Sequence, residues 1–444
     1  MNPKKCSATV GQERRAALLA GWRDEQTQFL AALVQTPSDN PPGDCAPHAR
    51  RAAGMLEGIG FTVERHAIAD EVAAAHGMRS VINLVVREHF GPHSADDAAS
   101  DAASNATGGA TGDATKRGPV IALNAHGDVV PPGAGWSTDP YGAEIKDGWM
   151  LGRGVAVSKS DFATYAYALR ALKETGTALN GTIELHFTYD EETGGAIGPE
   201  WLLAQGISKP DYAVSAGFSY GITTAHNGCL HLEVECIGKS AHAARPETGY
   251  DALHAATDIL SALYKLRTTY AQMRSKVPGI THPTLTIGLI EGGINTNVVP
   301  DKVLFRIDRR IIPEEQPEKV EHDLIAFIRQ AAEAHPAIRV RSRRIILAKP
   351  FVPLPGQEKL VAAIAANAER VLGEKIAPQG VPLYTDARHY SAAGIPTVLY
   401  GAGPRTMLEA NAHRADERVK LDDLFKATEV MAGALADLLA AGSD

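Results

Sequence analysis

From Val120 onward the chain carries short, unbroken apolar runs separated by stretches of helical spacing, and this pattern restricts its fold more than any other feature. VIALNAH, TIELHFTY, DYAVSAG and TVLYGAG show little of the alternation that leaves one face of a strand wet. Strands of this kind belong in a buried, largely parallel sheet flanked by helices. Between the last two runs the rhythm changes. Residues 228–343 open with the alternating HLEVECIG and pass through a helical stretch near 249–273. The strands LTIGLIEG and KVLFRIDRR follow, then a helix near 315–334 and the strand IRVRSRRI. That β-α-β-β-α-β order predicts a ferredoxin-like α+β layer inserted into a larger α/β domain built from 1–227 and 344–444.

The N-terminal part is consistent with the same plan. Residues 12–35 have helical spacing, SDNPPGDC breaks the chain into a loop, and a second amphipathic stretch ends at Gly58-Ile59-Gly60 before the strand-like FTVERHAI and VINLVVRE. Residues 91–118, almost entirely Ala, Asp, Gly, Ser and Thr, hold nothing to bury and read as a mobile surface insertion without chemistry. A formal net charge of −8 argues against a nucleic-acid or anionic-membrane surface. The one basic cluster, Arg339, Arg341, Arg343 and Arg344, alternates with Val340 and Ser342 as the outer face of a strand would. Cys6, Cys45, Cys229 and Cys236 match no zinc or redox spacing and read as free thiols of a reducing cytoplasm. No apolar run follows the first lysines, and none reaches the roughly 18 residues of a membrane span, so a cytoplasmic protein is expected.

Ligands of open α/β sheets bind beyond the carboxyl ends of the strands. There the first central run ends in His126-Gly127-Asp128, and a carboxylate two residues past a histidine suits an imidazole whose second nitrogen must be held. Taken alone, His126 reads more readily as a satisfied structural histidine than as a ligand. The second run ends in Asp190-Glu191-Glu192, where adjacent acids can divide the work of holding a metal and moving a proton. A solvated, cation-paired loop is the plainer reading of that run. His413, with Glu417 four residues on, is a further candidate ligand from a distant part of the chain.

Together these segments resemble the acetylornithine deacetylase, succinyl-diaminopimelate desuccinylase, aminoacylase and carboxypeptidase G2 family of dinuclear zinc hydrolases. The resemblance runs from about Val120 to Val419. It rests on His126-Gly127-Asp128-Val129-Val130-Pro131, Trp136, Asp139-Pro140-Tyr141, Asp147-Gly148, Gly152-Arg153-Gly154 and the acids at 190–192. Gly238-Lys239-Ser240-Ala241-His242, Asn297-Val298-Val299-Pro300, Asp308-Arg309-Arg310, Thr385-Asp386-Ala387-Arg388 and His413 complete it. It implies a zinc-aminopeptidase-like domain with residues 228–343 as lid and dimerisation domain. It further implies that Asp128 orients His126, that Glu191 is the general base, and that Glu192 and His413 hold one metal with His126 on a second. His242 would reach a partner subunit's site and stabilise the oxyanion, while Asn297 and Arg310 would grip a substrate carboxylate. The plainer alternatives are a surface-loop histidine for His242 and a structural ion pair for Arg310.

The chain departs from that pattern at two places. Where the family has the aspartate bridging both metals, this sequence has Val157, and where it has the terminal acid of the second metal, Gly217. Asp161, one helical turn past Val157, could replace the bridge, or it could simply be a first-turn acid behind a Ser158 cap. Ser219 and Tyr220 are poor zinc ligands. Three readings follow: a hydrolase with one zinc per subunit (manganese or cobalt as alternatives) on His126, Glu192 and His413; a metal-free lyase or isomerase using 190–192, His126, Lys159 and His242; or an inactive binding protein. Glu191, His242 and His413 are all retained, which favours an enzyme over a binder; metal dependence separates the first two readings, and the first is preferred. The expected substrate is a small N-acyl amino acid or dipeptide with a free carboxylate, cleaved at its amide bond by a homodimer without nucleic-acid or membrane partners.

Overall fold

The computed structural model describes residues 3–91 and 118–440, so the low-complexity stretch read as an insertion lies, but for its ends, outside the described residues. The chain forms two compact units. The first comprises residues up to Thr224, Pro353–Pro378 and the chain from His389; the second is Ala225–Val352 with Gln379–Arg388.

Strands are numbered in chain order: β1 (Val63–Ala67), β2 (Ile82–Phe90), β3 (Val120–His126), β4 (Glu144–Lys146), β5 (Trp149–Leu151), β6 (Gly181–Thr188), β7 (Tyr212–Ser215) and β8 (Ile222–His226). There follow β9 (Gly228–Ile237), β10 (Thr284–Gly292), β11 (Lys302–Ile311), β12 (Arg339–Ala348), β13 (Pro378–Val381), β14 (Thr397–Leu399) and β15 (Arg418–Lys420).

In the first unit the sheet runs β1-β2-β6-β3-β7-β14-β8. Its centre, β6-β3-β7-β14, is parallel, and β1, β2 and β8 pair antiparallel on either side. All seven residues of β3 are buried, as a strand covered on both faces must be. One cover is the helix Lys159–Thr175, itself buried along most of its length, with the Phe162 ring stacked on Phe187 of β6 at 3.9 Å between centroids. The helices Ala46–Gly58, Gln357–Leu372 and Leu421–Leu438 contribute to the same core. A small sheet, β15-β5-β4, includes a hairpin turned by Asp147-Gly148, both at positive φ (52° and 79°), the backbone that a two-residue turn of this hand requires.

The second unit has the expected β-α-β-β-α-β order. Its antiparallel sheet runs β10-β11-β9-β12, with the helices Ala252–Tyr270 and Pro317–Ala332 between strands in sequence. Leu230, Leu232, Val234, Phe305 and Ile307 from the strands meet Ile259, Leu263, Leu324 and Ile328 from the helices in one core. Residues of β9 alternate in burial, so Glu233 points away from that core and pairs with Arg306 and Arg343 at 2.9 and 2.6 Å. The basic run 339–344 is exposed at all four arginines, as the outer-face reading expects.

His48 is a buried polar group whose protonation the packing decides. Its Nε2 donates to the Leu33 carbonyl (3.1 Å), and Nδ1 lies 3.0 Å from the Tyr189 hydroxyl, a group able to donate to a neutral ring. Burial, with Lys159 nearby, holds its pKa well below 6.5. The unfolded chain therefore binds a proton that the folded chain refuses, and stability contributed by His48 falls as pH drops below about 6.5. Replacing His48→Gln is expected to flatten the loss of stability between about pH 6.5 and 5, measured as the denaturant midpoint at each pH relative to the parent.

Candidate metal centre

Parallel pairing of β3 and β6, with His126 opposite Thr188, puts the carboxyl ends of the two strands side by side. The chain leaves β3 through Gly127, whose N–H donates to Thr188 (2.8 Å). A Cβ at Gly127 would lie 2.4 Å from the Tyr189 ring, so only glycine fits this crossing. Next comes Asp128, fully buried, whose carboxylate accepts from the backbone N–H groups of Glu191 (3.3 Å) and Glu192 (3.1 Å) and from the Asn40 side chain (2.9 Å). Asp128 thus ties the acidic turn after β6 to the histidine-bearing turn after β3. His126 Nδ1 lies 3.0 Å from the Asp128 carbonyl oxygen and 3.4 Å from its carboxylate, which leaves Nε2 directed elsewhere. The Ser158 hydroxyl accepts from the His126 N–H and donates to its carbonyl, both at 2.9 Å.

Ligand atoms of His126, Glu191 and Glu192 converge within 4.8 Å of one another. His413 joins them from the far end of the chain, with Nε2 3.5 Å from Glu192 Oε1. Its backbone sits at φ 61°, an uncommon conformation for a residue with a side chain. The loop that carries it is anchored by a fully buried ion pair between Arg153 and Glu417 (2.5 Å), and Glu417 also accepts from the N–H groups of Ala156 and Val157. Burial opposes a charge on His126, but Asp128, Glu191 and Glu192 outweigh it and hold the pKa well above the usual histidine value. Glu192 raises that of His413, against its partial burial. The centre is therefore a place that demands positive charge, and two imidazoles with two carboxylates are donors that suit a divalent ion such as zinc.

Four neighbours serve the framework instead. Asp190 accepts from the Ile197 N–H (2.7 Å) and closes the turn behind Glu191 and Glu192. Lys159 is buried with its pKa pulled down to about 8, and its ammonium donates to the carbonyls of Leu33 and Thr36 (both 3.2 Å). Asn40 and Ser158, which hold Asp128 and His126, were not singled out in the sequence. The NPP turn around Asn40 signalled only a loop, and a serine ahead of a helix signals a cap.

The remaining candidates lie in the second unit. His242 is exposed in a loop, bridges in antiparallel fashion to Val298, and accepts the Ala244 N–H at Nδ1 (3.0 Å). Asn297, also exposed, is beside it through its carbonyl, which accepts from the Ala243 N–H (2.9 Å). Arg310, half-buried, makes a two-point ion pair with Asp308 (both 3.0 Å) and lies over the Tyr384 ring. The alternatives weighed for His242 and Arg310, a loop histidine and an ion pair, thus describe their local surroundings.

Comparison with known proteins decides the family. Residues 122–437 match the peptidase family M20/M25/M40. The chain belongs to that family. It is 26% identical over 388 residues to acetylornithine deacetylase of Myxococcus xanthus, covering 87% of this chain and 90% of that one. It is 27% identical over 420 residues to succinyl-diaminopimelate desuccinylase of Rhizorhabdus wittichii, covering 92% and 96%. The structure of the di-peptidase Dug1p from Saccharomyces cerevisiae superposes with a TM-score of 0.74 at 15% identity, covering 98% of this chain and 99% of that one. These likenesses establish the mixed α/β fold with its mostly parallel sheet. Enzymes of the M20 family depend on zinc or another divalent metal, typically as a pair.

The two positions read from the sequence as departures, Val157 and Gly217, have local surroundings that explain their side chains. Val157 is half-buried against the core and offers only its N–H, to Glu417. At Gly217 a Cβ would lie 2.8 Å from the Tyr400 nitrogen and 2.9 Å from the Leu399 carbonyl carbon, so β14 leaves no room for any side chain. Asp161 does not form the capping contact that Ser158-x-x-Asp161 suggests. Its carboxylate instead accepts from the N–H groups of Gly217 (3.3 Å) and Ala402 (2.8 Å) and joins the ends of β7 and β14. Burial raises its pKa well above 3.8, with those two N–H groups and His126 pulling the other way. Gly401 leaves the space for that carboxylate, one of whose oxygens would be 1.9 Å from a Cβ there. Ser219 and Tyr220 are likewise turned to the framework, toward Gly401 and Asp423. Restoring an acid by Gly217→Asp is expected to lower the melting temperature by several degrees, because overpacking costs about 1–3 kcal/mol. An unchanged melting temperature would show that β14 yields easily.

Proposed function

We propose that this chain is a divalent-metal-dependent hydrolase that cleaves the amide bond of a small N-acyl amino acid or dipeptide bearing a free carboxylate, with one ion in its catalytic centre. The convergence of His126, Glu191 and Glu192, with His413 against Glu192, is the observation that carries it. His126, Glu192 and His413 would hold the ion, and three protein ligands are enough for a catalytic zinc. Positions 157 and 217 offer no donor side chain, and both Asp161 oxygens already accept from backbone. Zinc is the preferred metal, with manganese or cobalt as alternatives. When bound, the metal polarises the scissile carbonyl as a Lewis acid.

Glu191 is assigned as general base, taking a proton from the attacking water and passing it to the leaving amine. Its backbone is pinned by Asp128, which limits where its carboxylate can reach. Asp128 also orients His126. Arg310, its guanidinium oriented by a two-point ion pair with Asp308, and Asn297 are assigned to the substrate carboxylate, and His242 to the tetrahedral oxyanion. The relatives' names, a deacetylase and a desuccinylase, support an N-acyl amino acid as the substrate class. A cytoplasmic homodimer completes the assignment. Buried, unpaired Cys45, Cys229 and Cys236 fit a reducing compartment, and no helix among the described residues is long and apolar enough to cross a membrane. The metal-free alternative is weakened because Lys159 and Asp190 are committed to backbone partners.

Elemental analysis of the purified protein is expected to show one zinc-class ion per chain fewer in Glu192→Gln than in the parent. No dependence of turnover on any divalent ion would sink the proposal, while two ions needed for turnover would overturn its one-ion part. Glu191→Gln is expected to reduce kcat by about 10²–10⁴ with binding of a product analogue retained. Arg310→Ala should instead raise KM by about one to two orders of magnitude, the loss of a charged hydrogen bond.

A further inference from the structure

The second unit carries another set of metal-binding donors that shares no residue with the centre above. His254 and Asp258 are four residues apart on the helix Ala252–Tyr270 and so share one face. The helix start is fixed by Asp251, whose side chain accepts from the N–H groups of Leu253 (2.9 Å) and His254 (3.1 Å). His335 follows the helix Pro317–Ala332 in a turn closed by two backbone bonds, His335 N–H to Ala332 and Ile338 N–H to His335 (both 2.9 Å). All three side chains thus stand on backbone that is already held. His335 Nε2 lies 2.7 Å from Asp258 Oδ2, and His254 Nε2 is 3.7 Å from the same oxygen. The two imidazole rings meet edge to face at 4.9 Å, and the ligand atoms of all three residues fall within 4.8 Å.

We propose that His254, Asp258 and His335 form a second, structural site for a transition-metal ion of the zinc or copper class, clamping the two helices of the ferredoxin-like layer together. One carboxylate oxygen faces two imidazoles, and without a cation only His335 reaches it at hydrogen-bond distance. In a tetrahedral zinc site with bonds of about 2.0–2.2 Å, neighbouring ligand atoms are about 3.3–3.6 Å apart. The observed 2.7 and 3.7 Å bracket that spacing. The adjustment falls on the two freer side chains, since those of His254 and Asp258 are 67% and 49% exposed against 14% for His335. Two imidazoles and one carboxylate select zinc, copper, nickel or cobalt, and offer too few oxygens for calcium or magnesium. Water completes the coordination. Because His254 and Asp258 belong to one helix and His335 to the turn after the other, the ion would reinforce a link otherwise made by the His335–Asp258 contact and by apolar residues such as Ile259, Leu263 and Leu324.

The test uses the full chain carrying Glu192→Gln, to weaken the catalytic centre, stripped with chelator and reloaded with zinc. Zinc retained after desalting is compared with and without His254→Ala, whose exposed side chain makes misfolding an unlikely cause, as circular dichroism checks. Loss of one zinc equivalent per chain, and a zinc-induced rise in melting temperature seen only with His254 present, are the expected results. Copper loaded in place of zinc should give an electron paramagnetic resonance signal with two imidazole nitrogens, reduced to one by either His254→Ala or His335→Gln. Equal zinc retention in both proteins, or a copper signal unchanged by both substitutions, would overturn the site. On an otherwise unaltered chain, His254→Ala is expected to leave turnover as it is.

Discussion

The buried carboxylate of Asp128 holds the candidate centre together. It accepts from the backbone of Glu191 and Glu192 and from the Asn40 side chain, while its own residue supports His126. Three separate chain segments meet on one anion with no exposure to water. A buried charge of this kind is tolerated only when its oxygens are supplied with donors, and each donor here belongs to an element that the site needs. Parallel pairing of β3 with β6 makes the meeting possible, because parallel strands end on the same edge of the sheet.

A second buried pair does similar work for His413. Arg153 and Glu417 join the glycine-rich loop after β5 to the loop before β15, and Glu417 also takes the N–H groups of Ala156 and Val157. Removing one partner of such a pair strands the other charge in a dry interior, at a cost of about 3–5 kcal/mol. His413 therefore reaches Glu192 through a loop whose position is held by electrostatics several residues away. Acidic donors converging on two imidazoles leave a local excess of negative charge, and a proton or a metal ion is the physical answer to it.

Around Val157 and Gly217 the packing is mutually consistent. Gly217 is closed off by β14, Gly401 opens a space, and Asp161 fills it to bind the N–H groups at the ends of β7 and β14. An acid that sequence spacing allowed as a replacement ligand is committed to backbone. The same lesson applies to Lys159 and Asp190, whose proximity in sequence to the catalytic motifs suggested chemistry and whose hydrogen bonds show framework. Sequence spacing says which residues can share a face; it does not say which backbone groups compete for them.

Apolar runs and their rhythm were enough to place the longer strands of both units, because burial on two faces and on one face leave different alternation. Ordered motifs were enough for the family, since His126, Glu191, Glu192 and His413 each occupy a recognisable context. The short strands β4, β5, β8, β13 and β15 were not read from the sequence, and the contacts of Asn40 and Ser158 were not legible because their partners lie tens of residues away. The grouping of His254 and Asp258 with His335 is of the same kind: helical spacing relates the first two, and only the packed turn after the second helix brings the third. Sequence by itself determined which side chains this protein has for its chemistry and which strands carry them. Tertiary structure alone decided which of those side chains remain for a ligand, because hydrogen-bond partners are assigned by distance in the folded chain and not by distance along it.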